Sequence, residues 1–256
     1  MEKTPYALFR KASLSIWNKG GDPSVYGFLD WDVTDLPKSV RTATLIKALG
    51  VVIKSHPDLN SILRWGRLRP RDTVDVTVMV NIPGVKNDLS FSTLRDVDQK
   101  SLEDISDDLK SGSAVVRGKK DRNLHFALQI LNWMPSGVGR LFLSIYGLLA
   151  FDFGWDLRIF RLPFRPFGPV ILSNIGSLGL KQALIPLVPM TRSCMMVSMG
   201  AASKEPSVRE EQIVIREVIK LGVTFDHRYF DGSHAAQMLK DFQSALAMHG
   251  HFGEPR

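Results

Sequence analysis

Apolar and polar residues alternate along two stretches of the chain, and a period of two indicates strands with one buried face. Between 73 and 81 the pattern places four valines on one face: Val74, Val76, Val78 and Val80. A much longer alternation begins at Gln212 and has Glu217 as its one polar interruption. Its apolar positions are Ile213, Ile215, Ile219, Leu221, Val223 and Phe225. The second pattern predicts a strand long enough to bridge different parts of the molecule.

Other runs are rich in β-branched, aromatic or otherwise apolar residues, which predicts further strands. They are VYGFLDWDV, PVILSNIGSLG and SCMMVSMGAA, with a shorter candidate around 88–95. Apolar residues spaced three and four positions apart predict helices. The predicted helices cover about 5–17, 36–56, 99–111, 121–153 and 232–248.

Strands and helices alternate along the chain without an internal repeat or a flexible linker between them. This order predicts an α/β protein with a single domain over residues 1–256. An apolar helical insertion stands out at about 121–167, but Pro135 and Arg140 break it, so no clean run of about 20 apolar residues exists to span a bilayer. We interpret the insertion as buried helices, with contact at a membrane surface as the less favoured alternative.

Composition limits the chemistry that the chain can perform. Of the 256 residues 44% are hydrophobic, and the one cysteine, Cys194, excludes an internal disulfide and a multi-cysteine metal site. Its apolar surroundings predict a buried, inert thiol. The six histidines show no metal-ligand spacing, so no metal site is predicted. Arg10 and Lys11 fall where the apolar core of a signal peptide would have to lie, which predicts a cytoplasmic protein.

The formal net charge of +7 favours polyanionic partners in a general way. Arginines cluster at 64–71 and again, among phenylalanines, at 158–165. No nucleic-acid-binding motif accompanies either cluster, so no nucleic-acid partner is predicted. We interpret the arginines as belonging to solvated loops, with a site for the phosphates of a nucleotide-bearing substrate as the next alternative.

The sharpest local motif is the segment from Asp226 to Gly232, DHRYFDG, in which His227 follows the long predicted strand and Asp231-Gly232 begins the last predicted helix. The spacing of a histidine and an Asp-Gly pair is weak evidence on its own. Its position is stronger evidence, because strand ends and helix starts hold catalytic groups rigidly beside a cleft.

With its neighbours, the segment VTFDHRYFDGSHAAQML resembles the catalytic domain of the dihydrolipoamide acyltransferases of 2-oxo acid dehydrogenase complexes and, more distantly, chloramphenicol acetyltransferase. The segments SHPDLNSIL, DVDQKSLEDISDDL, VILSNIGSLGL and EEQIVIREVIKLG are also similar to that family, so the resemblance covers roughly three quarters of the chain. It implies a chloramphenicol-acetyltransferase-like two-layer α/β sandwich, with a mixed sheet and helices, that assembles as a homotrimer.

The resemblance also implies roles for particular residues. His227 matches the general base, and Ser173 matches the serine that stabilises the oxyanion from a neighbouring subunit. Asp231 matches an aspartate that pairs with an arginine and fixes the histidine loop, and Arg10 is the best match for that arginine. Two residues then have supporting structural roles, Asn174 and Gly232.

The implied substrates are coenzyme A or acyl-CoA and a thiol acceptor such as dihydrolipoamide, with no tightly bound cofactor. A base that titrates near pH 6.5 can take the proton of a thiol that is mostly protonated at neutral pH. Because lipoyl and subunit-binding modules are not found beside the catalytic domain, we expect a stand-alone form that uses a lipoylated protein supplied in trans. The residues of a coenzyme A site cannot be assigned from the sequence.

Simpler interpretations stay open at this point. His227 is then a core histidine, Ser173 closes a turn and Asp231 is a helix N-cap. For the chain as a whole there are three alternatives. It is an acyltransferase for a different small acceptor, a non-catalytic trimeric scaffold, or a basic protein that binds nucleic acid or an anionic membrane. The insertion at 121–167 reshapes the acyl pocket, covers an assembly surface or touches lipid.

Overall fold

A computed structural model describes residues 23–65, 67–81, 89–117, 131, 133–160, 162, 166–229 and 232–249. The predicted first helix, and with it Arg10, lies outside these ranges. So does Asp231.

Nine strands and four helices of α type are described in these ranges. The strands are β1 (Ser24–Asp32), β2 (Ser61–Arg64), β3 (Arg67–Pro70), β4 (Val76–Asn81), β5 (Leu89–Leu94), β6 (Val170–Asn174), β7 (Met195–Met199), β8 (Ser203–Arg209) and β9 (Gln212–Asp226). The helices are α1 (Arg41–Ser55), α2 (Leu102–Arg117), α3 (Ser136–Gly147) and α4 (Gly232–His249). A π turn, Leu148–Asp152, follows α3, and short 3-10 turns cover Leu157–Phe160, Ile175–Leu178 and Pro189–Thr191.

Seven of the described strands form one mixed sheet in the order β1-β9-β7-β6-β4-β5, with β8 paired to β9. The β4, β6 and β7 strands are parallel to one another, and the other pairs are antiparallel. A separate hairpin consists of β2 and β3. The predicted fold class, a mixed sheet with helices, is confirmed.

The core lies between one face of this sheet and the layer formed by α1, α2 and α4. In β4 the predicted alternation is confirmed, since Val76 and Val78 face this core and Met79 packs on the opposite face with Ile171 and Phe167. The central strand β7 is buried along its whole length because a second cluster covers that opposite face. The sheet is therefore covered on both faces at its centre.

The long predicted strand is confirmed as β9, which bridges two regions of the sheet. Residues 218–226 pair with β1, while 212–218 pair with β8. Only the first of these regions reaches the core, so Ile219 and Phe225 are buried but Ile213 and Ile215 are exposed. The alternation continues along the whole of β9 as predicted, but the first part of the strand is not buried, because nothing in the described chain covers Ile213 and Ile215 there.

Helix α1, which corresponds to the second helix predicted from the sequence, begins later than its predicted start near Pro37. Residues 34–40 form turns, and the helix starts at Arg41, whose guanidinium donates to the carbonyl oxygens of Val33 and Leu36 and to the carboxylate of Glu217. Arg41 is buried, so this contact ties the helix start to β9. Among the helices of the described ranges, none combines the length and apolar character needed to cross a bilayer.

Candidate active site

His227 lies directly after β9, where the strand leaves the sheet. Its backbone N–H donates to the carbonyl oxygen of Pro23, next to the register pair Ser24 and Asp226. The residue is exposed. The core-histidine interpretation is therefore wrong, and the imidazole is placed where a second molecule can reach it.

A charged turn fixes the backbone on both sides of His227. The buried carboxylate of Asp226 accepts hydrogen bonds from the backbone N–H of Arg228 at 2.9 Å and from its guanidinium at 2.6 and 2.9 Å. These hydrogen bonds raise the pKa of Arg228. The backbone N–H of Asp226 donates to the backbone carbonyl oxygen of Cys194. The backbone N–H of Tyr229 donates to the backbone carbonyl oxygen of Asp226 and closes the turn. This turn was not predicted from the sequence.

Tyr229 connects the same turn to the β2–β3 hairpin. Its hydroxyl accepts a hydrogen bond from the N–H of Leu63 at 2.8 Å, and burial raises the pKa of Tyr229 to about 12. The far side of the hairpin is held by Arg71, whose guanidinium donates to three carbonyl oxygens. They belong to Ser61, Phe167 and Arg192. The solvated-loop interpretation of this arginine cluster is wrong for Arg71, which has a structural role.

Ser173 lies near the end of β6 and is half-buried. The turn that follows is closed by its neighbours: the N–H of Ser177 donates to the side-chain oxygen of Asn174, and the Ser177 hydroxyl donates to the Asn174 carbonyl. A side chain on Gly176 would lie 2.6 Å from the carbonyl oxygen of Gly200, so the turn packs directly on the end of β7. Asn174 thus closes the turn, and the hydroxyl of Ser173 takes no part in these hydrogen bonds.

Strand register places Ser173 and His227 far apart in one chain. Ser173 of β6 forms a register pair with Ser198 of β7, and Ser198 forms a register pair with Gly222 of β9. Gly222 precedes His227 by five positions, or about 16 Å along a strand, and β6 and β9 lie on opposite sides of β7, about 10 Å apart. The two residues are therefore about 19 Å apart at the backbone. One protomer does not bring the predicted base and the predicted oxyanion donor together.

Other candidate groups are structural. His56 contacts the Asp241 carboxylate at 2.9 Å between α1 and α4. Cys194 is buried, and its Sγ donates to the carbonyl oxygens of Leu59 and Pro169. Burial raises the pKa of Cys194 to about 12. Within the described ranges, His, Cys, Asp and Glu form no cluster able to hold a metal ion.

The state of Cys194 leads to a direct prediction. In the native protein at pH 8, its thiol remains protonated and inaccessible, so a disulfide reagent such as DTNB detects no reactive thiol within minutes. After unfolding in guanidinium chloride, the same assay detects one thiol per chain, because the sequence contains one cysteine. A full equivalent of rapidly reacting thiol in the native protein would contradict this placement.

Comparisons with known proteins agree with the sequence resemblance. Residues 168–251 match the model of the 2-oxoacid dehydrogenases acyltransferase catalytic domain. Dihydrolipoyllysine-residue acetyltransferase components of pyruvate dehydrogenase complexes are similar over 78% of this chain, at 21% identity in Rickettsia prowazekii and 25% in Rhizobium meliloti. The chain spans 38% and 35% of those two proteins, respectively.

Solved structures show the same fold over nearly the whole chain. A dihydrolipoamide acetyltransferase from Azotobacter vinelandii superposes with a TM-score of 0.68 at 18% identity, covering 96% of this chain and 91% of its own. A probable dihydrolipoamide acetyltransferase from Listeria monocytogenes gives 0.67 at 15% identity, covering 97% and 93%. The fold expected from the sequence resemblance is confirmed.

Proposed function

We propose that this chain, which shares its fold with dihydrolipoamide acetyltransferases and matches the model of the 2-oxoacid dehydrogenases acyltransferase catalytic domain over residues 168–251, transfers an acyl group between coenzyme A and a thiol acceptor such as dihydrolipoamide. The observation that carries the proposal is the placement of His227. Its imidazole is exposed at the end of a core strand, while Asp226, Arg228 and Pro23 fix the backbone around it. A general base needs this combination of access and rigidity.

The second part of the proposal is that each site forms between two protomers of a homotrimer. Because Ser173 and His227 are about 19 Å apart in one chain, a serine can act with the histidine only from a neighbouring copy. The β8–β9 hairpin supports such an assembly, since Val208, Ile213 and Ile215 are exposed beyond the end of β1. Burying these residues against another copy stabilises the assembly through the hydrophobic effect.

A related protein supports the assignment of residues. In the Azotobacter vinelandii dihydrolipoamide acetyltransferase, a serine, a histidine and a residue four positions after it, an asparagine, were investigated for roles in the catalytic mechanism. This chain has Ser173, His227 and, four positions later, Asp231. We assign Asp231 the role of holding the histidine loop, with Arg10 as its partner and Gly232 at the start of α4.

The proposed chemistry is a proton transfer coupled to thioester exchange. The imidazole of His227 takes the proton of the acceptor thiol, and the thiolate attacks the thioester carbonyl of acyl-CoA. The hydroxyl of Ser173 from the adjoining protomer donates a hydrogen bond to the resulting oxyanion. When the tetrahedral intermediate collapses, the coenzyme A sulfur leaves with the bonding electrons and receives the proton from the imidazolium.

The substrates follow from this chemistry and from the relatives. Coenzyme A acts as a substrate, and we propose no tightly bound cofactor. The acceptor is a dihydrolipoyl group on a separate protein or a different small acceptor. Because the thiol acceptor must stay reduced, we propose a cytoplasmic location.

Product analysis tests the proposed function. The wild-type protein is incubated with acetyl-CoA and free dihydrolipoamide, and chromatography with mass detection follows coenzyme A and S-acetyldihydrolipoamide. We expect both products in equal amounts, and neither with oxidised lipoamide, which has no thiol to deprotonate. A parallel series with longer acyl-CoA substrates identifies the preferred acyl group. The proposal is wrong if coenzyme A is released at the same rate without an acceptor, or if no acyl-CoA yields an acylated thiol.

A further inference from the structure

Helix α3 is apolar on two opposite faces. Its inner face, which includes Leu143 and Tyr146, is buried in clusters that also contain Leu131, Phe151 and Ile62 of the β2–β3 hairpin. The opposite face carries three exposed apolar residues, Val138, Leu141 and Ile145, and exposed Leu148 continues it in the π turn that follows the helix. Here these four residues are called the outer face. A surface helix ordinarily carries polar residues on the side away from the core, so an apolar outer face indicates a partner.

Exposed aromatic side chains flank α3 in the chain at both ends. Trp133 precedes the helix and is 90% exposed. Phe153 follows it, with its N–H bonded to the Leu148 carbonyl, and Trp155 packs beside Phe153. Trp65, at the tip of the hairpin, contacts Phe153 edge to face at 5.7 Å. Tryptophan combines a large apolar ring with a polar N–H and is favoured where an apolar phase meets water.

The charges around the outer face are cationic. The acidic side chains of 133–160 are both paired with arginines, Asp152 with Arg192 and Asp156 with Arg158. Arg140 projects from α3 and is exposed. Negatively charged groups therefore complement this surface.

We propose that the outer face of α3 lies on a membrane surface that contains anionic lipids. The helix lies in the plane of the interface, with its four apolar side chains among the acyl chains and the tryptophans at the headgroup level. Arg140, which is exposed on the same helix, contacts lipid phosphates. In a twofold contact through this face, two copies of Arg140 lie close together and repel each other. A contact of the kind found in a cyclic trimer is an outcome of the test below.

Vesicle sedimentation tests this inference independently of acyl transfer. The full chain is mixed with vesicles of phosphatidylcholine alone or of phosphatidylcholine with about 30% phosphatidylglycerol. The phosphatidylglycerol gives the vesicle surface the negative charge that attracts cationic side chains. We expect binding to the anionic vesicles, weaker binding in high salt and little binding to pure phosphatidylcholine. The double variant Leu141→Gln, Ile145→Gln lowers the partition coefficient about tenfold or more. Its matched control is Met248→Gln, which changes an exposed apolar residue of α4 and leaves binding unchanged.

Each alternative outcome overturns the inference. Equal binding to both kinds of vesicle would show that anionic lipid has no role. The absence of binding would show that the protein does not lie on a membrane surface. An unchanged partition coefficient in the double variant shows that the outer face is not the contact. If light scattering instead shows that this variant, with an unchanged melting temperature, forms a smaller assembly, the outer face is an interface between copies.

Discussion

Replacing His227 with alanine is expected to lower the turnover number for acyl transfer from acetyl-CoA to dihydrolipoamide by about a thousandfold, within the range of general-base contributions. Without the imidazole, the acceptor thiol must lose its proton to water, and the thiolate is scarce at neutral pH. The KM for acetyl-CoA should change little, because His227 acts on the proton in the transition state. Initial rates of product formation at several substrate concentrations separate the two parameters.

His234→Ala is the matched control for this variant. His234 is another exposed histidine, located in the first turn of α4, and it has no role in the proposed chemistry. We expect this variant to retain most of the wild-type rate. Circular dichroism melting curves of both variants check that the fold is intact, since His227 is exposed and its removal leaves no cavity. If His227→Ala is as active as His234→Ala, the assignment of the general base is wrong.

Elements with a strong hydrophobic period were predictable from the sequence. The alternation of valines identified β4, and the long alternation identified β9. Pro135, which breaks the apolar insertion in the sequence, directly precedes the start of α3 within the predicted helical stretch 121–153. Each of these signals is local, because the period of a strand or helix and the geometry of proline depend on neighbouring residues alone. The motif that contains His227 was predictable for the same reason, since it lies at the boundary between two such elements.

Features that depend on distant contacts were not predictable. The helix start at Arg41 depends on Glu217, which lies far away in the sequence, and the structural role of Arg71 depends on carbonyl groups of Phe167 and Arg192. The sequence also predicted buried helices in the insertion, but only the inner face of α3 is buried. Hydrophobic period identifies a buried face but not whether a second apolar face has a partner.

The separation of Ser173 and His227 required the strand register. The sequence places each residue at a strand end, and only the pairing of β6, β7 and β9 shows that these are different ends of the sheet. Resemblance to the acyltransferases implied that the two residues meet across a subunit boundary. Their separation of about 19 Å within one chain gives that expectation an independent geometric reason.

The central claim, that one site needs two protomers, is tested most directly by mixing two inactive variants. Ser173→Ala is expected to lower the turnover number about a hundredfold or more, the usual cost of losing one oxyanion donor. Ser173→Ala and His227→Ala chains, each with a different affinity tag, are expressed together. Two successive affinity steps then isolate assemblies that contain both chains.

In a cyclic trimer with both kinds of chain, one of the three interfaces joins an intact His227 to an intact Ser173. We therefore predict that the mixed assemblies regain about one third of the wild-type activity, far above either variant alone. Activity in the mixture no higher than the average of the two single variants would show that each site lies within one chain, and would contradict the account.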